Sequence, residues 1–378
     1  MVFNFYRINS IINFLNLTAR LKTIAEHNLK NKCIFEISKI NFLKKQYILF
    51  SFLFTLFSCR TDRGNQDAGN YPLYSISGTK ILNSGIPKQF IGANALHTFG
   101  GESNDMNSWN LDIVREFVGN MNENPISGST IQDSNGAFLH SLQDIVDNNR
   151  LNNKVTILCA FGWNGTNETM FTGKRPTQTF WWNDYKLKLE QWAIHFKNQP
   201  DVWLEVWNEP YRYDRADGYT DEIWQSDMNQ LVDVIRSSNN ENIILIPCAE
   251  QGQDESVLIN KGAVFLSNKT NILFDVHAYE KWLLVNDAIV ETRLQNLKIN
   301  NLPIIFGEIA PMNASVLMNT QPLLSKIHNR GLSVCAWLWK YDENDTDALL
   351  TSTGLSNDTA NNNWGSIYKS LSLDSRNP

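Results

Sequence analysis

From residue 71 onward, short apolar runs alternate with amphipathic stretches. Short runs rich in branched and aromatic side chains are typical of buried strands, whereas apolar residues spaced three and four apart predict helices. The predicted strands cover residues 90–93, 121–126, 155–161, 202–209, 243–249, 272–277, 303–308 and 332–339. The predicted helices cover residues 108–119, 137–149, 183–197, 221–237, 287–297 and 323–329. A hairpin is predicted before them, running from residues 80–82 through a turn to residues 89–91.

Strands that alternate with helices predict a parallel sheet. Eight such strands over roughly 300 residues predict an α/β protein with the (β/α)8 TIM-barrel fold. The alternative is a doubly wound open sheet, but no Gly-x-Gly-x-x-Gly sequence follows the first predicted strand. Polar residues also gather where several strands end, which favours the barrel because barrel proteins place their chemistry there.

The first 70 residues differ from the rest of the chain. Lys44-Lys45 precedes an apolar run over residues 47–57. The run is shorter than the ~20 residues that a membrane-spanning helix requires, so the pattern predicts an export signal. Residues 60–70 are polar and contain glycine, which predicts a tether.

The export signal ends in Leu56-Phe57-Ser58-Cys59, which resembles the lipobox of bacterial lipoproteins. The resemblance implies a lipid anchor on Cys59 and a protein at the cell surface or in the periplasm. A plain signal peptide with an incidental cysteine is the alternative. We therefore divide the chain into an extension with its signal and lipobox (1–59), a tether (60–70) and one barrel domain (71–378).

Charge and composition limit the partners. A formal net charge of −6 and a pI near 5.6 disfavour nucleic acid, which binds basic surfaces. The 12 tryptophans lean toward carbohydrate, because flat apolar rings stack on sugars, although core packing accounts for them equally well. Cys159, Cys248 and Cys335 lie in or at the end of predicted strands, and we expect them to be buried without disulfides.

Two of the predicted strands end in a glutamate. The run over residues 202–207 leads into Asn208-Glu209-Pro210, and Pro210 cannot donate to a sheet ladder, so the strand stops there. The run over residues 302–307 ends at Glu308. Two carboxyl groups at one end of a barrel suit the cleavage of a glycosidic bond: one protonates the leaving oxygen and the other attacks the sugar.

Further strand ends complete a pattern. In chain order it consists of Asn208-Glu209, His277-x-Tyr279, Gly307-Glu308, and the tryptophans Trp337 and Trp339. This order resembles glycoside hydrolase family 5, the cellulase-type retaining barrel glycosidases, over residues 71–375. The resemblance implies a single catalytic domain with Glu209 as general acid/base and Glu308 as nucleophile.

The resemblance also implies substrate-binding roles. Asn208 would reach the 2-hydroxyl of the sugar, and Tyr279 would donate a hydrogen bond that keeps the nucleophile ionised. His277 would lie beside them. Trp337 and Trp339 share a face, and we prefer Trp339 as the floor under the sugar because it is nearer the strand end.

Further aromatic and acidic residues have two interpretations each. Additional stacking platforms in the cleft are predicted at Trp163 and at four other residues, Trp181, Trp182, Tyr211 and Trp282, with core packing as the alternative for each. Glu205 shares a strand face with Glu209, and we expect it to form an ion pair inside the barrel.

The chain departs from the family pattern at two predicted strands. The family usually carries an arginine near the end of strand two, and residues 122–126 contain none. Arg115 falls in the predicted preceding helix, where we expect a solvated or salt-bridged role. At strand three, Cys159 and its neighbours stand where a histidine is common. His97, after the first strand, is expected to fill part of that space.

We therefore predict a retaining endo-β-glycosidase that hydrolyses a β-1,4-linked polysaccharide by double displacement, with glucan first and mannan second. A catalytically silent glycan-binding lipoprotein is the alternative. A metal-dependent hydrolase is disfavoured because the first strand offers only His97 and no His-x-His. We expect no cofactor or metal, a polysaccharide or oligosaccharide as the partner, no nucleic acid, and a monomer.

Overall fold

Eight parallel strands pair in a closed ring. They are β1 (Ile91–Ala95), β2 (Ile113–Val118), β3 (Val155–Ala160), β4 (Val202–Glu205), β5 (Ile244–Pro247), β6 (Ile272–Ala278), β7 (Ile304–Ile309) and β8 (Ser333–Ala336). Each strand pairs with its neighbours in sequence, and β8 closes the ring against β1. The predicted (β/α)8 barrel is confirmed. The computed structural model describes residues 73–340 and 345–377.

Helices cover the outside of the ring. They are α1 (Leu142–Leu151), α2 (Trp182–Phe196), α3 (Asp221–Ser237), α4 (Ser256–Asn268), α5 (Asp287–Ile299), α6 (Gln321–Asn329) and α7 (Trp364–Leu373). Neither α4 nor α7 was predicted. Residues 71–378 form one compact unit, and none of the described helices has the length and apolar character to cross a bilayer. The predicted export signal, the tether and Cys59 lie outside the described residues.

The amino-terminal end of the barrel is plugged. Inward-facing side chains such as Phe90 and Trp203 form a small apolar cluster there. A three-stranded antiparallel sheet with strands Tyr74–Ser77, Lys80–Asn83 and Ile86–Pro87 covers it, and Tyr74 lies 5.7 Å from Trp203, ring centre to ring centre. The return strand of the predicted hairpin was wrong: Phe90 is buried at the entry to β1. With this end closed, the carboxyl ends of the strands are left to carry polar chemistry.

The second strand lies where a helix was predicted. Residues 113–118 form β2, whereas residues 121–126 form turns. The pattern was misleading because β2 carries two charged residues, both fully buried, on its opposite faces. Arg115 points into the barrel toward Glu205, and Glu116 points outward to Asn149 of α1. Ion pairs and hydrogen bonds replace apolar contacts here, so the run reads as amphipathic.

Candidate active site

Glu209 and Glu308 come together at the carboxyl end of the barrel. The side chains are almost fully buried, at 2% and 0% exposure. Nδ1 of His277 lies 3.1 Å from Glu209 Oε1 and 3.6 Å from Glu308 Oε2. One oxygen of each glutamate and a ring nitrogen of His277 lie within 4.8 Å of one another. Two carboxyl groups so close repel each other when both are ionised.

Glu209 is held by an unusual backbone turn. Strand β4 ends at Glu205, earlier than predicted, and Glu209 adopts φ 48°, a left-handed conformation. The Gly173 N–H donates to the Glu209 carbonyl over 2.7 Å, and the Gln251 N–H donates to the Pro210 carbonyl over 3.0 Å. The loops after β3 and β5 therefore fix the turn that presents Glu209, and Pro210 removes a donor that the turn does not need.

Arg115 is the cation at the centre of the site. Its guanidinium donates to both oxygens of Glu205, at 2.6 and 2.8 Å, and to Glu308 Oε1 at 2.8 Å. It also donates to the side-chain oxygens of Asn94 and Asn208, each at 2.8 Å. The predicted absence of an arginine near the end of strand two was therefore wrong. The predicted ion pair of Glu205 is confirmed, with Arg115 as its partner.

Tyr279 and Arg115 share the Glu308 carboxylate. The Tyr279 hydroxyl donates to Oε2 over 2.6 Å while Arg115 binds Oε1. Two strong donors on one carboxylate fix its orientation. Asn208 is fixed at both ends, since its Oδ1 accepts from Arg115 and its Nδ2 donates to the Thr172 hydroxyl over 2.9 Å.

Burial and neighbouring charges raise the pKa values of two side chains packed against Glu209 and Glu308, namely Glu205 and His277. Burial raises the pKa of Glu205 to about 7, although Arg115 opposes the shift and Asp275 reinforces it. Burial alone would lower the pKa of His277, but the Glu308 and Asp275 carboxylates outweigh it and raise the pKa to about 10. His277 is therefore a cation between acids at neutral pH.

Trp337 and Trp339, which follow β8, have different surroundings. Trp337 stacks on Phe117 of β2 at a ring distance of 4.9 Å and lies 5.8 Å from Phe161, which follows β3. Phe117 shares the inward face of β2 with Arg115, two residues earlier. Trp339 packs edge-on against Trp109 and donates to Asp105 over 3.2 Å, in the cluster between strands and helices. The preference for Trp339 as the floor is not supported, because the inward-facing ring is that of Trp337.

The other predicted binding residues do not join the pair. His97 is buried against Glu116, with Nδ1 2.7 Å from Oε1, on the outer face of β2, so it does not fill the space beside Cys159. Cys159 instead lies 3.3 Å from Arg115 Nη2. The predicted platforms are no more than 9% exposed and pack in the core; they are Trp163, Trp181, Trp182, Tyr211 and Trp282.

Among the described residues, two groups of side chains have the composition of metal sites. They are Glu205, Asp275 and His277, and Glu209, His277 and Glu308. In both groups the carboxylates already bind fixed donors: Arg115 holds Glu205 and Glu308, and Tyr279 also holds Glu308. A metal ion would compete with the guanidinium for these oxygens, so the donor set fits proton chemistry better than metal binding.

Arg115 and Asp275 belong to this site but were not predicted to do so. Arg115 was placed on a helix, so its inward direction was lost. Asp275 precedes His277 by two residues on β6, and the two-residue period of a strand puts both on one face. That spacing was a usable signal for Asp275.

Comparisons with known proteins agree with this geometry. A family model described as Cellulase (glycosyl hydrolase family 5) matches residues 98–343. The catalytic domain of a mannanase from Streptomyces sp. SirexAA-E is 18% identical, covers 88% of this chain and 99% of its own, and gives a TM-score of 0.61. No curated protein sequence matches the chain.

Two other solved structures share the fold. The β-mannanase from Thermomonospora fusca is 16% identical, with 79% of this chain and 97% of that chain covered and a TM-score of 0.61. The cellulase Cel5C_n is 16% identical, with 82% and 95% covered and a TM-score of 0.61. The family model spans more than half of the 378 residues. The chain therefore belongs to glycosyl hydrolase family 5 and is a glycoside hydrolase.

Proposed function

We propose that the protein is a retaining endo-β-glycosidase that hydrolyses a β-1,4-linked polysaccharide. The observation that carries the proposal is the pairing of Glu209 with Glu308, whose nearest oxygens lie within 4.8 Å at the carboxyl end of the barrel. Retaining enzymes need carboxyl groups about 5 to 5.5 Å apart, whereas inverting enzymes leave about 6.5 to 9.5 Å for a water molecule. The short separation supports double displacement.

In the first step, Glu308 attacks the anomeric carbon while Glu209 protonates the glycosidic oxygen that leaves. The C–O bond to the leaving sugar breaks as the bond to the Glu308 carboxylate forms. Arg115 and Tyr279 each hold one oxygen of Glu308, which supports its role as the attacking carboxylate by fixing its orientation. Asn208, held by Arg115 and Thr172, is oriented to bind the 2-hydroxyl.

In the second step, Glu209 takes a proton from water and the resulting hydroxide attacks the glycosyl–Glu308 ester. The anomeric configuration is restored, and both carboxyl groups return to their starting states. Trp337, which stacks on Phe117 and lies beside Phe161, supplies the apolar floor under the sugar.

For the polysaccharide backbone we propose mannan or glucan. Structures named mannanase and cellulase both share the fold with this chain. At identities of 16–18% these structures support the fold. The polysaccharide that the enzyme cleaves is identified by experiment. A panel of β-mannan, β-glucan and xylan, assayed for reducing ends with the wild type and Glu308→Ala, identifies the substrate.

We expect the wild type to release oligosaccharides from mannan or glucan and Glu308→Ala to release none. Proton NMR at early times should show the β-anomer first. Retained activity in Glu308→Ala contradicts the nucleophile, and early α-anomer contradicts retention. If the wild type binds a polysaccharide without hydrolysing it, the result supports the alternative of a catalytically silent glycan-binding lipoprotein. That alternative drew on a missing arginine, and Arg115 in the site removes its support.

We further propose that the enzyme is exported and anchored through a lipid on Cys59, and that it acts as a monomer. The support is the apolar run over residues 47–57 followed by the lipobox-like Leu56-Phe57-Ser58-Cys59. Mass analysis of the mature amino terminus tests the anchor: a diacylated Cys59 is expected, and an unmodified terminus contradicts it.

A further inference from the structure

Asp275 is a buried acid beneath the catalytic pair that the mechanism above does not use. It has no exposed surface and lies on β6, two residues before His277. Its Oδ1 accepts from the Gly307 N–H over 2.6 Å, and its Oδ2 lies 3.2 Å from His277 Nε2. One carboxylate therefore contacts the residue before Glu308 and the residue beside Glu209.

Gly307 is the site of an irregularity in the sheet. Val276 pairs with Phe306, but the next residue, His277, pairs with Glu308, so Gly307 is an extra residue on β7. A Cβ atom on Gly307 would lie 2.2 Å from Asp275 Oδ2, so the missing side chain leaves the room that the carboxylate occupies. Asp275 thus holds the N–H of the bulge directly before Glu308.

The carbonyl side of the same bulge is also held. Asn94 of β1 donates to the Gly307 oxygen over 2.8 Å. Both polar groups of Gly307 are therefore satisfied by buried side chains, from β1 and β6. A residue fixed on both sides limits the directions in which the next side chain, Glu308, is able to point.

Asp275 also directs the ring of His277. A carboxylate accepts hydrogen bonds, and the imidazolium carries a proton on each ring nitrogen, so Nε2–H donates to Asp275 Oδ2. Nδ1 is then the atom that faces Glu209 Oε1 at 3.1 Å. Without an acceptor behind Nε2, the ring loses the contact that directs Nδ1 to the acid/base.

The charges around His277 come from four strands and from the segments that follow two of them. On its own strand lies Asp275, and Tyr279 follows. Glu308 of β7, Glu205 of β4, Arg115 of β2 and Glu209 after β4 complete the set. Gly252, after β5, packs its backbone against the ring without adding charge. Acids outnumber cations there, which favours the imidazolium, and the raised pKa of His277 agrees.

We propose that Asp275 is a positioning residue for both catalytic carboxyl groups. Through the Gly307 amide it fixes the backbone that carries Glu308, and through Nε2–H of His277 it directs the ring toward Glu209. The inference rests on the proposed glycosidase function and adds a residue to it.

The test is Asp275→Asn, which keeps the size and an acceptor for Gly307 but removes the charge. We expect kcat/KM to fall about 10- to 100-fold, as for the loss of one charge-assisted hydrogen bond. The alkaline limb of the pH–kcat/KM profile should move to lower pH, because His277 loses a neighbouring charge that favours its protonated form.

Asp112→Asn is the matched control. Asp112 likewise accepts from a backbone amide, that of Ile91 at 2.9 Å, and pairs with a cation, Lys88 at 3.2 Å, but at the amino-terminal end of the barrel. We expect it to lower the thermal midpoint without moving the pH profile. An Asp275→Asn variant with wild-type kcat/KM and an unmoved profile overturns the proposal while leaving the glycosidase assignment intact.

A second measurement needs no substrate. Nitrogen-15 NMR of the wild type, with His277→Gln used to assign the ring signals, reports whether each ring nitrogen carries a proton. We expect Nε2 to stay protonated from pH 6 to about 9. A ring that is unprotonated at Nε2 overturns the proposal whether or not the protein cleaves any polysaccharide. An inactive wild type with the expected NMR signals contradicts the glycosidase function alone.

Discussion

Arg115 uses its whole guanidinium inside the barrel. Nε and Nη2 bind the two oxygens of Glu205, while Nη1 divides between Glu308 and Asn94. A planar fork with five donors matches this arrangement, and a lysine ammonium does not. Arg115 is fully buried, so replacing it leaves each of its hydrogen-bond partners with a buried polar group that has lost its donor.

We predict that Arg115→Lys keeps the positive charge but lowers kcat about 10²- to 10³-fold, since Glu308 loses a preorganised donor. Arg115→Ala should also cost about 3 to 5 kcal/mol of unfolding free energy, because it strands buried carboxylates. Steady-state kinetics and urea denaturation measure the two effects.

Arg150→Lys is the control for this substitution. Arg150 forms a comparable fork with Asp201, at 2.7 and 3.0 Å, at the start of β4. We expect it to reduce stability slightly and to leave kcat unchanged. Equal losses of kcat in both lysine variants would assign Arg115 a structural role only.

The three described cysteines are free and buried, as predicted. Burial raises the pKa of each thiol, at Cys159, Cys248 and Cys335, well above its usual value. We predict that iodoacetamide at pH 8 leaves them unmodified in the folded protein and alkylates all three in urea, because the thiolate is the reactive form. Peptide mass analysis checks this, and rapid native labelling of Cys159 would contradict it.

The loops after β3, β5 and β6 support the site more than the strand ends alone indicate. The segment Ala249–Gly252 follows β5 and packs against His277. Gly252 has φ +79°, and a Cβ atom there would lie 2.6 Å from His277 Cγ. Only glycine satisfies both the backbone conformation and the contact.

We predict that Gly252→Ala displaces the His277 ring, lowers kcat/KM and destabilises the protein by about 2 to 4 kcal/mol, from left-handed strain plus overpacking. Gly218→Ala separates these causes: Gly218 has φ +69°, and a Cβ atom there would have no neighbour within 4 Å. Gly218→Ala should lower the unfolding free energy by about 1 kcal/mol, from the backbone strain alone, and leave the kinetics unchanged. Kinetics and thermal denaturation measure both, and full activity of Gly252→Ala contradicts the contact.

The elements that carry ordinary strand patterns were predictable. The apolar runs that became β3, β4 and β7 are buried on both faces, so their sequence is plainly that of strands in a parallel sheet. Strand β2 was not predictable by the same rule, because Arg115 and Glu116 interrupt its apolar run to serve partners from distant parts of the chain. Those partners become neighbours only when the barrel closes.

The residues of the site were likewise predictable only in part. Glu209, Glu308, His277 and Tyr279 lie at or just after the carboxyl ends of strands and were predicted to converge, and their contacts agree. The choice between Trp337 and Trp339 depended on how β8 ends, which strand periodicity alone does not determine. Side chains whose direction depends on a turn were therefore beyond the sequence pattern.

The folded molecule as a whole should lose stability at alkaline pH. The pKa of His277 is about 10 in the folded chain and near its ordinary 6.5 when unfolded. A raised histidine pKa contributes stability that is fully present below pH 6.5 and is lost as the pH rises through 10. The active site and the pH limit of the fold thus share one residue.

We predict that the free energy of unfolding falls between about pH 7 and 10, and that His277→Gln flattens this decline. His195→Gln is the control, because burial lowers the pKa of His195 and its contribution lies below the ordinary value of 6.5. Urea denaturation across this pH range measures the slopes. Identical slopes for wild type and His277→Gln would contradict a charged His277.

The order in which a ribosome makes the chain gives Arg115 a further consequence. Glu205 emerges 90 residues after Arg115, and Glu308 emerges 193 residues after it. The acids that Arg115 binds are therefore complete only once seven of the eight strands have been made, so a chain that stops before β7 lacks one of the carboxylates that hold the guanidinium.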